Sequence, residues 1–395
     1  MISEKMLKLV KGSSVIRALF EEGNALAEKI GRENVYDFSL GNPNFPAPEA
    51  FKQAVRDIVT GEDPVRVHGY MSNSGFADVR KKVADSLNVR FGTKFGTDNI
   101  VMAVGAAGGL NVVLKTLINP GDEVLVIAPY FFEYDNYVNN FDGKLVIVNA
   151  DKKNFQPDAE ALKAAITPKT KAVLINTPNN PTGVVYTEES IKEVAAALEE
   201  KQKELNTAIY LVSDEPYREL CYDGAVVPYL TKYYRNSIVC YSWSKSLSLP
   251  GERIGYIVIP SEATEAEVIF SAAGIATRIL GFINAPSLMQ LAVAECLDEQ
   301  VDIGAYDQNR KLLYKTLTDC GFECVYPDGA FYMWVKTPGD DKEFVNAAKK
   351  YNLLLVPGSS FACSGYVRIA YCVSKEMIER STAAFKKLAE EFRLG

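Results

Sequence analysis

One histidine, His68, is present in 395 residues. With a single imidazole on offer, a His-based zinc site is close to excluded. A Ser-His-Asp hydrolase would have to use His68, which sits in VHGYMSNSG, and no G-x-S-x-G elbow occurs. Acid–base chemistry must therefore come from Lys, Tyr, Asp or a cofactor, and His68 reads as a packing or hydrogen-bonding residue. Basic excess is missing too: 43 Lys and Arg stand against 50 Asp and Glu, a net charge of −7. Phosphate backbones need a basic face, so nucleic acid is not expected as a partner. No apolar run approaches a membrane span, and MISEKMLKLVKGSS has no apolar signal core, so neither a membrane nor export is expected. The seven cysteines (Cys221, Cys240, Cys296, Cys320, Cys324, Cys363 and Cys372) are odd in number and lie mostly among apolar neighbours. That pattern fits reduced core thiols in a cytoplasm rather than a disulfide framework. Cys320 and Cys324 have no second pair, so no metal is expected.

What is present is apolar residues, 48% of the chain, enough to bury a large core and form two domains. Ser13–Ile30 carries helical apolar spacing through Val15, Ile16, Leu19, Phe20, Leu26 and Ile30. An extended segment, Val35–Leu40, runs into GNPNFPAP, where Gly41 and three prolines predict a rigid loop with exposed amides. Short apolar runs then recur at Asn99–Val104, Glu123–Ile127, Lys144–Val148, Ala172–Asn176, Ala208–Ser213, Ser237–Ser242 and Ile254–Ile259. Helical stretches fall between them at Gly109–Leu117, Asp158–Ile166 and Glu188–Leu198, the last with Thr187 as its N-cap. The expectation is an α/β fold with a seven-stranded, mostly parallel sheet sandwiched by helices. A smaller α+β domain would come from the N-terminal segment and the last hundred residues, beginning with a long helical run from Ala285 to Leu297 and beyond. The expected division is 1–45 joining the small domain, 46–280 as the large domain and 281–395 as the small one. No low-complexity linker or internal repeat separates them.

Chemistry concentrates where strands end. YSWSKSLSLPGERIGY at Tyr241–Tyr256 delivers Lys245 between small hydroxyl residues and Arg253 just past a Pro-Gly turn. A lysine becomes a nucleophile when burial or neighbouring cations pull its pKa down from about 10.4, and such lysines form Schiff bases with carbonyl compounds. VGAAGGLN at Val104–Asn111 opens a helix whose first amides suit a phosphate; close helix–strand packing explains the small residues equally well. PYFFEY at Pro129–Tyr134 puts aromatics on the same rim, either in the core or stacked on a planar ring. NTPNNPTG at Asn176–Gly183 offers Asn180 as a donor, and SDEPYREL sets Asp214 at a strand mouth with Tyr217 three residues on. Asp214 caps a helix or holds a proton on a heterocyclic nitrogen. Arg368, in the strand-like GYVRIAY, should face a polar cleft suited to bidentate carboxylate binding.

In order along the chain, GNPN, Tyr70, GAAGG, PYFFEY, NNPTG, DEPY, SWSKSLSLPGERIG and Arg368 together resemble the class I aminotransferases of pyridoxal phosphate fold type I. The resemblance runs from about Val35 to the C-terminus. It implies that Lys245 forms the Schiff base with pyridoxal 5′-phosphate and later moves the Cα proton. It implies that Asp214 pairs with the pyridinium nitrogen, while Asn180 and Tyr217 hydrogen-bond the ring 3′-oxygen. Phe131 falls at the stacking aromatic. Ser242, Arg253 and the amides of Ala106 and Ala107 would bind phosphate, joined in a homodimer by Tyr70 of the partner subunit. Arg368 would clamp the substrate α-carboxylate beside Asn180, with Gly41 lending a backbone contact. One departure stands out: some aspartate-using relatives read the side chain with a larger residue after Ala106, and Ala107 removes that handle. Arg278, in IATRILGFINAP, falls near a distal-carboxylate arginine of other members, or is a helix-surface arginine.

The implied function is transfer of an amino group between an L-amino acid, aspartate or aromatic, and a 2-oxo acid such as 2-oxoglutarate. A C–S β-lyase is the rival on the same scaffold; it would release pyruvate without an acceptor. A non-catalytic pyridoxal phosphate-binding regulator is a third reading, opposed by the lack of a DNA-binding extension or basic arm.

Overall fold

Runs of Val, Ile and Leu without helical period become strands, as β-branched side chains favour. The computed structural model describes residues 2–11 and 15–394, so the expected helix start at Ser13 lies outside the described residues. The strands are β1 (Tyr36–Asp37), β2 (Ile100–Ala103), β3 (Glu123–Ala128), β4 (Lys144–Asn149), β5 (Thr170–Asn176), β6 (Tyr210–Asp214), β7 (Ser237–Ser242) and β8 (Gly255–Val258), followed by β9 (Cys324–Val325), β10 (Tyr332–Lys336), β11 (Leu353–Leu354), β12 (Val356–Pro357) and β13 (Tyr366–Ala370).

A seven-stranded sheet has the order β2-β8-β7-β6-β5-β3-β4. Its pairings are parallel except those of β8, which runs antiparallel to both β2 and β7. The mostly parallel sheet expected from sequence is what forms. Strands β2, β3, β6, β7 and β8 are buried along their whole length, because helices cover both faces. Edge strand β4 is the exception, with Ile147 48% exposed. Leu125 and Ile127 are buried on β3, where truncation to Ala costs about 2–5 kcal/mol.

The second sheet is antiparallel, in the order β12-β13-β10-β9. The N-terminal segment joins this region: β1 pairs in parallel with β11, and Phe38 accepts from the Ala370 amide at 2.9 Å. Phe38 is fully buried in the core of this smaller layer, beside Phe331, Leu355 and Phe385.

Helix limits differ from the expected ones for local reasons. The first helix described is Glu4–Lys11, which the sequence reading did not anticipate; the next, Val15–Ile30, matches its expected end. The helix expected from Gly109 begins at Gly105, since its first turn is all glycine and alanine and carries no periodic signal. The one expected to stop at Leu198 continues to Leu205 through a polar, solvent-facing stretch and ends at Asn206 with φ 48°. Thr187 caps it as expected, accepting from the Ser190 amide at 3.1 Å. The long run expected from Ala285 is only Ser287–Ala294: Pro286 stands as its N-cap, and the chain turns at Glu295. Leu291, Ala292 and Val293 pack with Val79, Val83 and Ile100 beneath the large sheet, so this helix sits with the large layer although it lies beyond residue 280. Among the described residues, no helix is long and apolar enough to cross a membrane, and no cluster of metal-ligating side chains occurs.

Candidate active site

Parallel strands gather their carboxyl ends on one edge, and a cavity of about 340 Å³ opens there between the two sheets. One wall comes from the ends of β2, β3, β5, β6 and β7. The helix Gly105–Leu117 starts here with no side-chain cap, so the amides of its first turn remain available. Ala106 and Ala107 line the cavity. Gly105 has φ +69°, a conformation that favours glycine, and a Cβ on it would come within 2.7 Å of Arg253 Nη2 and push the guanidinium aside. Arg253 itself holds φ 52°, an uncommon conformation for a non-glycine residue, and donates to the Pro250 carbonyl at 2.9 Å. Beside it Ser242 and Ser244 share a hydroxyl–hydroxyl bond of 2.6 Å, and Ser242 caps the short helix that carries Lys245. Amides, two hydroxyls and a guanidinium thus converge as an anion site.

Asp214 closes β6 at the other end of this wall and is buried. Its Oδ2 accepts from the Tyr134 hydroxyl at 2.6 Å, whereas Oδ1 is buried with no partner. Burial pushes its carboxyl up to about 7, with Tyr134 pulling down and Glu215 pushing up. An orphaned carboxylate oxygen facing a cavity suits a protonated nitrogen base. Asn176, at the end of β5, braces both neighbours: its Nδ2 donates to the Asp214 carbonyl at 2.8 Å and its Oδ1 accepts from the Asn180 amide at 2.7 Å. Behind, Glu215 and Arg218 form a buried ion pair that anchors the loop after β6. Phe131 lines the cavity edge-on to Tyr134, with ring centroids 5.6 Å apart.

Lys245 projects between the walls, and its Nζ donates to the Gly41 carbonyl at 2.8 Å. Its amine is lowered to about 8, chiefly by burial; Arg253 and Arg368 act the same way and Cys372 opposes them. About a tenth of the amine is then neutral at pH 7, far more than for an ordinary lysine, and that fraction can act as nucleophile and base.

The facing wall belongs to the smaller sheet. Arg368 on β13 is 2% exposed; Nη1 donates to Asn180 Oδ1 at 3.0 Å and Nη2 to the Ser39 carbonyl at 2.5 Å. Its Nε has no partner, which leaves donor capacity for a carboxylate. The guanidinium packs over the rings of Tyr332 at 4.4 Å and Phe361 at 5.0 Å. The Tyr217 hydroxyl meets that of Tyr332 at 2.8 Å, and burial raises the Tyr217 phenol well above its ordinary range.

The cavity thus collects Gly41, Ala106, Ala107, Phe131, Asn180 and Asp214, together with Tyr217, Ser242, Lys245, Arg253 and Arg368. Tyr70 is not among them; it is 89% exposed. Arg278 is an exposed residue of the helix Ala266–Ile279, outside the cavity lining. His68 is exposed at the end of a short helix rather than packed in a core. Sequence reasoning missed Tyr134, Asn176, Ser244 and Tyr332 as site residues. The first three lie inside motifs already singled out, so position within those motifs was the available signal. Tyr332 lies in GAFY, outside every motif singled out.

Residues 33–385 match the family described as aminotransferase class I and II. Similar proteins include the probable aspartate/prephenate aminotransferase of Thermus aquaticus, 31% identical, with 92% of this chain and 94% of that protein covered. The aromatic-amino-acid aminotransferase 2 of Thermococcus litoralis is also 31% identical, with coverage of 96% and 97%. Among solved structures, an amino transferase from Eubacterium rectale matches with a TM-score of 0.97 at 46% identity, over 99% of both chains.

Proposed function

Because the chain belongs to the class I and II aminotransferases, enzymes that use pyridoxal 5′-phosphate, we propose that Lys245 carries its proton transfers and Arg368 anchors its substrates. The observation that carries this is one amine, lowered to about 8, sharing a cavity with the unpartnered Oδ1 of Asp214. The donor is aspartate or an aromatic amino acid, as in the names of the two relatives, and the acceptor is a 2-oxo acid such as 2-oxoglutarate.

The donor set suits the cofactor at each point. When bound, the cofactor supplies an electron sink for the pair left as the substrate Cα–H breaks. The amides of Ala106 and Ala107, Ser242, Ser244 and Arg253 would hold its phosphate, and Phe131 would pack on its ring. Asp214 would accept the ring N–H at Oδ1 and keep that proton in place. Tyr217 and Asn180 would donate to the ring 3′-oxygen. Arg368 binds the α-carboxylate, with Gly41 and Asn180 alongside, and so orients the substrate Cα–H toward Lys245. Lys245 Nζ then removes that proton as general base. We place the enzyme in the cytoplasm, in accord with seven free cysteines, and as a homodimer in which Tyr70 of the partner subunit completes the phosphate site; its exposure on this chain supports that role.

Borohydride reduction of the cofactor-loaded enzyme, followed by peptide mass spectrometry, should place the label on Lys245. Amino acids should discharge the visible absorbance once, and 2-oxo acids should restore it. Pyruvate released from cystathionine without any acceptor would make the protein a lyase instead.

A further inference from the structure

Tyr332 meets three of the site residues at once. Its hydroxyl lies 2.8 Å from that of Tyr217 and its ring 4.4 Å beneath the Arg368 guanidinium. A Cβ on Gly41 would overlap that same hydroxyl. Tyr332 is 2% exposed and lines the cavity from β10. Trp334 stands directly across from Arg368 in the ladder, so Tyr332 is the diagonal neighbour that reaches beneath it.

A phenol has one hydrogen to give. In the reading above, Tyr217 directs its hydrogen at the ring 3′-oxygen, and its own oxygen is left to accept. Tyr332 is then the donor of the pair. Local electrostatics agree in direction: burial pushes the Tyr332 phenol up to about 12 and raises Tyr217 well above its ordinary range, with Arg368 pulling both back. The less raised phenol, Tyr332, is the better donor, and it is the one packed against the Arg368 guanidinium. Hydrogen bonds in series polarise one another, so a donor behind Tyr217 strengthens the bond that Tyr217 makes ahead.

We infer that Tyr332 is a positioning residue that orients the Tyr217 hydrogen toward the cofactor, in a chain running from Tyr332 through Tyr217 to the ring 3′-oxygen. The inference rests on the proposed place of Tyr217 and adds to it a second residue, from the other sheet, that acts only through the first. Donation to the ring oxygen favours its anionic form and therefore lowers the pH at which the lysine-bound chromophore loses its proton.

The test is a pH titration of the visible absorbance of cofactor-loaded Tyr332→Phe, Tyr217→Phe and the double variant. Tyr332→Phe should move the midpoint up by roughly half a unit, and Tyr217→Phe by roughly one. The double variant should match Tyr217→Phe alone, because the two groups act in series. As a check that keeps the fold intact, 3-fluorotyrosine at position 332, a stronger donor, should move the midpoint down. An unmoved midpoint in Tyr332→Phe beside a shifted one in Tyr217→Phe overturns the inference and leaves the function standing. Additive shifts in the double variant overturn it as well. If Tyr217→Phe itself shifts nothing, the place given to Tyr217 fails, and the chain fails with it.

Discussion

The two walls of the cavity are built in opposite ways. The strand-end wall uses backbone amides, short hydroxyls, one aspartate and the Arg253 guanidinium, each within a few residues of a buried strand. The facing wall uses long side chains from distant segments: Arg368 reaches Asn180 across 188 positions and Ser39 across 329. A wall made from sheet ends is rigid and suits a permanent occupant. A wall of long side chains tied by a handful of hydrogen bonds suits substrates that come and go. On the proposed assignments, the difference predicts that cofactor retention and substrate capture are separable.

Mutations on each wall sharpen or break that separation. Lys245→Ala, between the walls, should lower turnover by about 10⁴-fold, the upper end for a proton-transfer group, while the cofactor stays bound non-covalently. Co-elution of cofactor on gel filtration checks the second half, and more than trace turnover would break the first. Asp214→Asn removes the carboxylate proposed to hold the ring proton; for unit charges about 4 Å apart at an effective ε of about 20 such an interaction is worth about 4 kcal/mol, or roughly 10³-fold in kcat. Stopped-flow single turnovers measure it. Arg368→Ala should reduce kcat/KM by roughly 10²-fold for every amino acid alike and leave cofactor affinity unmoved. A loss confined to one substrate, or a matching loss of cofactor, would erase the distinction between the walls.

Smaller effects follow from titration. With Lys245 in the role proposed for it, its neutral amine would be the form that captures the cofactor aldehyde, so capture by the apoprotein should be slow below pH 8 and level off above it, with the midpoint near the value to which burial lowers the amine, about 8. Each unit below that midpoint should slow capture about tenfold; a midpoint near 10.4 would mean an unperturbed lysine. Tyr134→Phe strips a donor from Asp214 Oδ2, so the carboxyl should hold its proton to higher pH than its present value of about 7. In the apoprotein the Asp214 carboxyl titration, followed by infrared or NMR spectroscopy, should move up by up to about one unit, in line with one lost hydrogen bond. An unmoved titration would assign Tyr134 another task.

The same contrast decides what the sequence disclosed. Lys245, Asp214, Asn180 and the Ala106–Ala107 turn were legible because each follows a buried strand whose apolar run announces it. Parallel pairing then brings those ends together without further information. Arg368 was legible as a lone charge in an apolar strand. Tyr332 was not, because an aromatic in an apolar strand is most simply a core residue; only the approach of Tyr217 and Gly41, from segments far away in the chain, reveals its hydroxyl. Tyr134 hid for a related reason, as one ring in a cluster of four between Tyr130 and Tyr134. The short helix after Pro286 and the polar extension to Leu205 show the other limit. Apolar spacing reports which face is covered but not where the backbone turns away.

Position 41 carries a last consequence. It belongs to a proline-rich surface loop, the kind of segment where sequence usually drifts without penalty. Here even one methyl group would collide with a phenol rooted in the opposite layer, and the loop would be levered off the pocket it roofs. A single hydroxyl from another layer thus dictates which residue an otherwise open stretch of chain can place there.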